Sequence, residues 1–397
     1  MKIAYVFRED AANPEVQSGH PASILEGLQR LGAAIEPVFP LVVKNNRASI
    51  SKKIFYRLRG QYHRGDREPE FLEAAANEFD QRISGKSYDM VFSPGSEMIS
   101  RLKTSRPVTF SADATFASMV DYYWDFTGLS AEYLRKGHAQ EAASLAKASL
   151  AIYASEWAAR SAINYYGISP EKVAVIPFGA NFGKKNTLPE VERWIAQRPH
   201  DRINLIFVGK HWERKGGDLV VDTARCLRKL GHKVTLDIVG AELPARHRGL
   251  PWIVSHGLLS PKKPEEAAKL HDLYIRAHYV FVPSRAEAFG ITFAEGNAFG
   301  LPAISTNTGG ISGAVSNGEN GYLLPLSAGA QDYADLIASS FRNSGDYQAM
   351  CRRSFATFEK RLNWNAFCKS FLDILAERNI LTNAPRALTA APLLTRA

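Results

Sequence analysis

The hydrophobic pattern of the first half of the chain alternates short apolar runs with longer stretches of helical periodicity. Residues 22–31 form one such helical stretch. Strand-like apolar runs occur at 3–7, 34–38, 90–92, 108–110 and 150–154. Strands that helices cover on both faces are apolar along their whole length, as is typical of parallel sheets. This half of the chain is therefore predicted to form an α/β domain with a parallel sheet.

A second series of apolar runs follows a polar stretch at 183–202, which we interpret as the linker region between two domains. These runs lie at 203–208, 234–239, 252–254, 279–282 and 303–305. A chain of 397 residues also exceeds the usual size of one domain. The pattern thus predicts two doubly wound, Rossmann-like parallel-sheet domains, at 1–182 and 183–362.

The remaining residues, 363–397, are predicted to form a helix at 364–375 followed by a tail. From Thr382 on, the tail is rich in Ala, Leu and Pro and carries few charges. Chain ends are often poorly ordered unless packing ties them down, so we expect little order in the tail.

Two glutamates separated by seven residues, Glu287 and Glu295, form the most informative pattern in the chain. An Ala-Phe-Gly turn follows the first, and a helix that contains the second is predicted at 292–299. The first carboxylate would lie at the carboxyl end of a strand, where open α/β sheets bind ligands. The helix start suits a phosphate, and ionised carboxylates accept hydrogen bonds from hydroxyls. A nucleotide sugar has both features; the alternative is a solvent-facing helix whose acids complement its dipole.

The segment around this pair resembles the Glu-x7-Glu signature of retaining glycosyltransferases of family 4 (glycosyl transferase group 1), which have the GT-B fold. The resemblance continues through the Gly-Leu-Pro sequence at 300–302, the glycine pair at 309–310 and residues 317–325. It implies two doubly wound domains that face each other across a cleft. In such enzymes a last helix commonly crosses back to the first domain, and residues 364–375 are the candidate.

The resemblance also implies roles for individual residues of this segment. Glu287 would bind hydroxyls of the donor sugar, and Glu295 would bind the ribose of the nucleotide. Backbone groups of Phe289 and Gly290, with the adjoining Ile291, would contact the donor.

A strand, a basic loop with glycines and a helix start open the second domain at 207–218, an arrangement that suits an anion. Relatives carry two cations here that hold the donor diphosphate, and Lys215 matches the second of them. Lys210 stands where arginine is usual, and lysine lacks the bidentate fork of arginine. Arg214 is the alternative first cation, and surface cations on a turn are the other interpretation. Contacts to the base are expected from the loop at 257–261.

Candidates on the acceptor side come from the first domain. Gly19 and His20 follow the first strand, where relatives have a glycine-rich loop near donor phosphate and acceptor. Asp113 follows a later strand, where many relatives place a His or Asp beside the reacting sugar, so it would position the donor sugar or the acceptor hydroxyl. Glu97 follows a further strand and is a weaker candidate.

The charge of the chain is uneven. The formal net charge is +9 at pH 7, and the three cysteines lack metal-ligand spacing. Ile54, Phe55, Tyr56 and Tyr62 interleave with a basic stretch at 44–67 that contains Asp66 as its only acid. Its cations are Lys44, Arg47, Lys52, Lys53, Arg57, Arg59, Arg64 and Arg67. Such a stretch favours an anionic membrane surface or an anionic acceptor; a solvated loop and helix face is the alternative.

The resemblance predicts a retaining, metal-independent hexosyltransferase that uses a nucleotide-diphosphate sugar and needs no cofactor. The acceptor would be a glycan or a lipid-linked glycan of cell-surface polysaccharide or lipopolysaccharide synthesis. We expect a cytoplasmic protein with peripheral membrane contact through 44–67 and no nucleic-acid partner. The alternatives are a non-catalytic GT-B subunit that binds nucleotide sugars, or a nucleotide-sugar epimerase on the same fold. A dinucleotide oxidoreductase is disfavoured, since residues 8–14 lack the Gly-x-Gly-x-x-Gly turn.

Overall fold

The computed structural model describes residues 1–43, 47–182, 186–260 and 263–381, with the backbone alone at 47–49. The chain divides into two compact units: Met1–Ile176 with Phe367–Ala397, and Pro177–Ala366. Each unit contains one six-stranded sheet, and the strand pairs in it are parallel. The prediction of two doubly wound α/β units is therefore confirmed. None of the helices in these ranges is long and apolar enough to cross a membrane.

The sheet of the first unit has the strand order β2-β1-β3-β4-β5-β6. Its strands are β1 (Lys2–Val6), β2 (Ala34–Val38), β3 (Met90–Ser93), β4 (Val108–Ala112), β5 (Leu150–Tyr153) and β6 (Val173–Val175). Its helices are α1 (His20–Arg30), α2 (Arg47–Leu58), α3 (Pro69–Ile83), α4 (Phe116–Met119), α5 (Ala131–Lys147) and α6 (Glu156–Tyr166). The strand order reverses between β1 and β3, and sheets of this kind bind ligands outside the carboxyl ends at such a point.

The sheet of the second unit has the order β12-β11-β10-β7-β8-β9, so its reversal lies between β7 and β10. The strands are β7 (Arg202–Gly209), β8 (Lys233–Gly240), β9 (Ile253–Ser255), β10 (Tyr279–Phe281), β11 (Ala303–Thr306) and β12 (Gly321–Leu324). The helices are α7 (Leu188–Gln197), α8 (Gly217–Lys229), α9 (Pro264–Arg276), α10 (Ile291–Asn297), α11 (Ala330–Arg342) and α12 (Ser344–Arg361). Strand β12 was not among the predicted runs; it is a four-residue strand at the edge of the sheet.

The last helix, α13 (Trp364–Glu377), belongs from Phe367 on to the first unit. There Phe371 packs against Phe92 of β3, with ring centroids 5.2 Å apart, and the Cys368 thiol donates to the carbonyl of Ile24. The tail from Thr382 lies outside the described residues.

The polar stretch predicted as a linker, 183–202, contains the helix α7 and lies within the second unit. Val191, Trp194 and Ile195 bury one face of this helix. Thr187 and Glu190 form a capping box at its start, which satisfies amides that would otherwise lack partners. The linker interpretation was wrong because the polar residues cover the exposed face of an amphipathic helix, and the three apolar residues fix its position.

Candidate functional site

The loops that follow β7 and β10 meet at the strand-order reversal of the second unit. The Lys215 ammonium donates to the Glu287 carboxylate, and the Arg214 guanidinium donates to the same oxygen over 3.3 Å. Arg214 also donates to the carbonyl of Ala286 over 2.8 Å, and its own carbonyl accepts from the Arg285 amide over 2.8 Å. The structure thus brings together three of the predicted residues, from parts of the chain about seventy residues apart, at the crevice where such sheets bind ligands.

A glycine allows these two loops to approach each other. Gly216 precedes α8 with φ +75, a backbone conformation that L side chains rarely adopt. A Cβ at this position would collide with the carbonyl oxygen of Pro283, which follows β10. The absence of a side chain therefore lets the backbone of the first loop contact the backbone of the second, which places Lys215 beside Glu287.

Glu287 is held as a carboxylate by its neighbours. Glu287 and Lys215 are each only 8% exposed. Burial pushes the pKa of Glu287 up, but the charges of Lys215 and Arg214 outweigh it, and the pKa lies below its ordinary value. Two cations beside one carboxylate leave the cluster with an excess positive charge, which suits an anionic ligand that also carries hydroxyls.

Glu295 has the opposite electrostatic environment, although it is only eight positions further along. It lies on α10, where the Tyr274 hydroxyl donates to it over 3.1 Å and the backbone N–H of Asn181 donates as well. Burial raises the pKa of Glu295 to about 7. This carboxyl group therefore changes its protonation state near neutral pH, whereas Glu287 stays ionised.

The turn between the two glutamates is fixed by packing. Phe289 is buried, and its ring lies 5.6 Å from that of Phe178. Gly290 has φ +86, and a Cβ there would come within 2.6 Å of the Phe293 ring, so only glycine fits. Ile291 then begins α10. The backbone carbonyl of Glu287 accepts from the Gly310 amide over 3.0 Å, which ties the glycine-pair loop to this turn.

Lys210 is exposed at the carboxyl end of β7. The two candidates for the first cation thus differ in position: Arg214 contacts the Glu287 carboxylate, whereas Lys210 faces solvent in this structure. The sequence left the choice between Lys210 and Arg214 open, because the side-chain contact of Arg214 depends on the fold of the loop.

A cavity of about 420 Å³ lies at the carboxyl ends of β8 and β9, next to β7 in the same sheet. Gly240, at the end of β8, is so close to β7 that a Cβ there would lie 2.8 Å from the carbonyl oxygen of Gly209. The cavity is lined by Gly240, Ala241, Glu242, Leu243, Arg248, Ser255, Gly257 and Leu258. Base contacts were expected from the loop at 257–261, and Gly257 and Leu258 of that loop line the cavity. Glu242 and Arg248 were not predicted, because their only signal in the sequence is their place after a predicted strand.

The first unit has its own group of candidates, at the reversal between β1 and β3. Gly19 has φ +80 and caps α1, and the ring nitrogens of His20 contact the carbonyls of Gln17 (2.8 Å) and Pro94 (3.3 Å). Burial lowers the pKa of His20, against the opposing charges of Asp113 and Glu97. These charges act on one buried imidazole, so the structure brings the candidates of the first domain into one neighbourhood.

The basic stretch at 44–67 is less uniform than its sequence indicated. Arg67 is 3% exposed and donates to Gln140, and Lys52 donates to Glu132 over 2.8 Å and to Glu68 over 3.2 Å. The Arg67 guanidinium also lies 3.6 Å from the Glu97 carboxylate. Both cations are therefore paired within the first unit with acids that lie beyond the stretch. Lys44 lies outside the described residues. The exposed cations of the described part include Lys53, Arg57 and Arg59.

Among the described residues, no group of three or more His, Cys, Asp or Glu side chains is arranged to hold a metal ion.

Comparison with known proteins agrees with these observations. Residues 190–355 match the family model described as Glycosyl transferases group 1. The D-inositol 3-phosphate glycosyltransferase of Thermobifida fusca (strain YX) is 29% identical over 191 residues, which are 44% of this chain and 43% of that protein. The protein of the same name from Paenarthrobacter aurescens (strain TC1) is 27% identical over 51% of each chain. The chain thus spans about half the length of the curated relatives it matches.

Solved structures show the same fold over nearly the whole chain. Sucrose-phosphate synthase from Thermosynechococcus elongatus superimposes with a TM-score of 0.67 at 17% identity, over 95% of this chain and 98% of that one. Anabaena HepE in complex with UDP and glucose superimposes with a TM-score of 0.63 at 16% identity, over 95% of this chain and 100% of that one. These neighbours have the GT-B fold, so the predicted fold class is confirmed, and the resemblance to glycosyl transferases group 1 is confirmed by the family match.

Proposed function

We propose that this chain, which carries a glycosyl transferases group 1 domain at residues 190–355, is a retaining glycosyltransferase that uses a nucleotide-diphosphate sugar. The observation that carries the proposal is the cluster of Lys215, Arg214 and Glu287 at the strand-order reversal. The same unit has a cavity of about 420 Å³ at the carboxyl ends of β8 and β9. In the second unit, the cavity would take the nucleoside, the two cations the diphosphate, and the two glutamates the sugar and the ribose.

The cations have a chemical role in this reaction. When the bond between the anomeric carbon and the diphosphate breaks, negative charge grows on the departing phosphate oxygen. Lys215 and Arg214 are preorganised and largely removed from water, so they stabilise that charge more in the transition state than in the ground state. Protein cations in this role make the transfer independent of a divalent metal, which retention of activity in EDTA would support.

Retention requires the new bond to form on the face from which the diphosphate departs. The acceptor hydroxyl attacks the anomeric carbon as the donor bond breaks, and its proton passes to the departing phosphate oxygen. The resemblance assigns Asp113, Gly19 and His20 of the first unit to the acceptor side of this reaction. Glu287 would hold hydroxyls of the transferred hexosyl group.

The reaction class can be tested without knowing the acceptor. UDP-, GDP-, ADP- and CMP-linked sugars are incubated with the protein and EDTA, and free nucleotide is measured by chromatography. We expect slow hydrolysis of one donor, with a UDP sugar tested first because the HepE structures contain UDP. A non-catalytic subunit would bind a donor without releasing nucleotide. An epimerase would convert the sugar while it stays attached to the nucleotide.

Binding of the nucleotide should strengthen as the pH rises towards about 7, because ribose hydroxyls donate to the ionised form of Glu295 and burial raises the pKa of this carboxyl group to about 7. Below that pH, ionisation of Glu295 must accompany binding, which weakens the apparent affinity. Titration calorimetry with UDP between pH 5.5 and 8.5 measures the effect. Glu295→Gln is the control, because it retains the titration of UDP itself; identical profiles for both proteins would contradict the assignment.

We further propose that the acceptor is a glycan or lipid-linked glycan of cell-surface polysaccharide or lipopolysaccharide synthesis, used at the cytoplasmic face of a membrane. The observation that supports this is the exposed part of the basic stretch, with Lys53, Arg57 and Arg59 on and directly after α2. Cations near an anionic lipid surface each contribute about 1 kcal/mol to binding. Binding to anionic vesicles at low salt tests the contact.

A further inference from the structure

Helix α2 of the first unit has its apolar residues on the outside. Ile50, Ile54 and Leu58 follow one another at intervals of four, and they are 54%, 58% and 83% exposed. Phe55 beside them is 46% exposed. A surface helix of a globular domain normally turns its apolar stripe inwards. Here the stripe faces solvent.

The polar side of the same helix is fastened to the domain. Lys52 donates to Glu132, and the Tyr56 hydroxyl donates to the other oxygen of that carboxylate over 2.9 Å. The Tyr56 ring also stacks on His63, with centroids 4.8 Å apart and planes at 15°. Lys52 and Tyr56 lie four residues apart, opposite the apolar stripe on a helix of 3.6 residues per turn. The attachment therefore fixes the helix with the stripe outwards.

Cations border the stripe. Lys53 and Arg57 are one helical turn apart on one flank, and Arg59 follows the end of the helix, where its guanidinium lies 4.1 Å from the centre of the Phe55 ring. From Arg47 to Gly65 the sequence contains no acidic residue. Long basic side chains can bury their stems and still place the charge at a headgroup.

Exposed aromatic residues adjoin the helix. Tyr62 is 60% exposed, and its amide donates to the carbonyl of Gly128 over 2.9 Å. Trp124, on the loop that leads to Gly128, is 64% exposed. Tyrosine and tryptophan combine an apolar body with a polar group, which favours them at the boundary between lipid and water.

We infer that α2 lies in the plane of an anionic phospholipid bilayer, with Ile50, Ile54 and Leu58 inserted among the acyl chains and Lys53, Arg57 and Arg59 at the phosphates. A second copy of the chain is a poorer occupant, because it would bring two faces of the same positive charge together. The inference shares with the proposed function only the membrane on which the acceptor lies. It adds that insertion of apolar side chains, and not charge attraction alone, holds the protein there.

Insertion and charge attraction differ in their response to salt. Phosphatidylcholine vesicles with and without 30% phosphatidylglycerol would be sedimented with the full chain at about 0.05 M and 0.5 M NaCl; the higher salt screens exposed charges beyond a few ångströms. We expect binding to the anionic vesicles, part of which persists at high salt. Ile54→Ser with Leu58→Ser should weaken the salt-resistant part about tenfold or more. Lys53→Gln with Arg57→Gln should weaken mainly the low-salt binding.

Leu326→Ser is the matched control, since Leu326 is a similarly exposed leucine (48%) of the second unit. Hydrolysis of the donor without vesicles should be equal in all these variants, so a protein that hydrolyses no donor contradicts the proposed function and leaves the vesicle result intact. Absence of vesicle binding, or binding lost completely at high salt and unaffected by the Ile54 and Leu58 changes, would overturn the inference. So would light scattering that shows a dimer which these changes convert into monomers.

Discussion

Replacing Lys215 with alanine should lower the rate of donor hydrolysis at saturating donor by about 10²–10³-fold, the usual loss when one preorganised donor to a developing oxyanion is removed. The ammonium is buried and shares the carboxylate of Glu287 with Arg214, so water cannot replace it at the phosphate without reorganisation. The rate at which nucleotide is released from one saturating donor, without acceptor, measures the effect. Lys229→Ala, at the exposed far end of α8, is the control and should retain the wild-type rate.

A loss of rate could also come from a damaged fold, because one charge of a buried pair is left behind. Glu287 keeps Arg214 and the Ser284 hydroxyl as partners in the Lys215 variant, so its melting temperature should fall only modestly. The combined change Lys215→Met with Glu287→Gln removes both charges and should restore stability without restoring the rate. A full rate in either variant would exclude Lys215 from the reaction.

Replacing Gly216 with alanine should destabilise the second unit and abolish nucleotide binding together. The added Cβ would require the left-handed backbone conformation at φ +75 and would collide with the carbonyl oxygen of Pro283. Relief of that collision must separate the loops after β7 and β10, and with them Lys215 and Glu287. Chemical unfolding and calorimetry with UDP measure the two effects.

The variant Gly231→Ala is the control that distinguishes the two effects of Gly216→Ala, the strained backbone conformation and the collision with Pro283. Gly231 follows the same helix with φ +91, and a Cβ there has no atom within 4 Å. Its replacement should cost about 1–2 kcal/mol of unfolding free energy, the strain of a left-handed alanine. We expect the free energy of unfolding of the Gly216 variant to fall by about 2 kcal/mol more, which is typical of overpacking. The Gly231 variant should bind UDP normally. Equal losses in both would show that the loops do not depend on close contact at Gly216.

Much of the fold follows from patterns that are local in the sequence. The run at 34–38 coincides with the partly exposed edge strand β2, and those at 279–282 and 303–305 differ from the buried strands β10 and β11 by one residue. Buried strands of a parallel sheet are apolar on both faces, so their positions are visible without knowledge of their partners. Helix α7 was not predicted from its polar composition, although the spacing of Val191, Trp194 and Ile195 is the same kind of local signal.

The candidate site also combines features that are visible in the sequence with features that only the fold produces. The spacing of Glu287 and Glu295 and the position of Lys215 after a strand are sequence features. The fold brings Lys215 and Arg214 onto Glu287 over sequence separations of 72 and 73, and leaves Lys210 in solvent. The ionisation of the two glutamates also depends on tertiary structure, because burial acts on both and only Glu287 has cations at hydrogen-bond distance.

The basic stretch shows most clearly which properties follow from the sequence and which depend on tertiary structure. By itself the sequence determined two α/β units, the places of their strand ends, the glutamate pair and an excess of positive charge at 44–67. Tertiary structure alone decided that Lys52 is neutralised by Glu68 and Glu132, that Arg67 is buried, and that Ile54 and Leu58 face outwards. The physical reason is that periodicity and propensity act between neighbours in the chain, whereas burial, charge pairing and side-chain orientation depend on residues that only folding brings together.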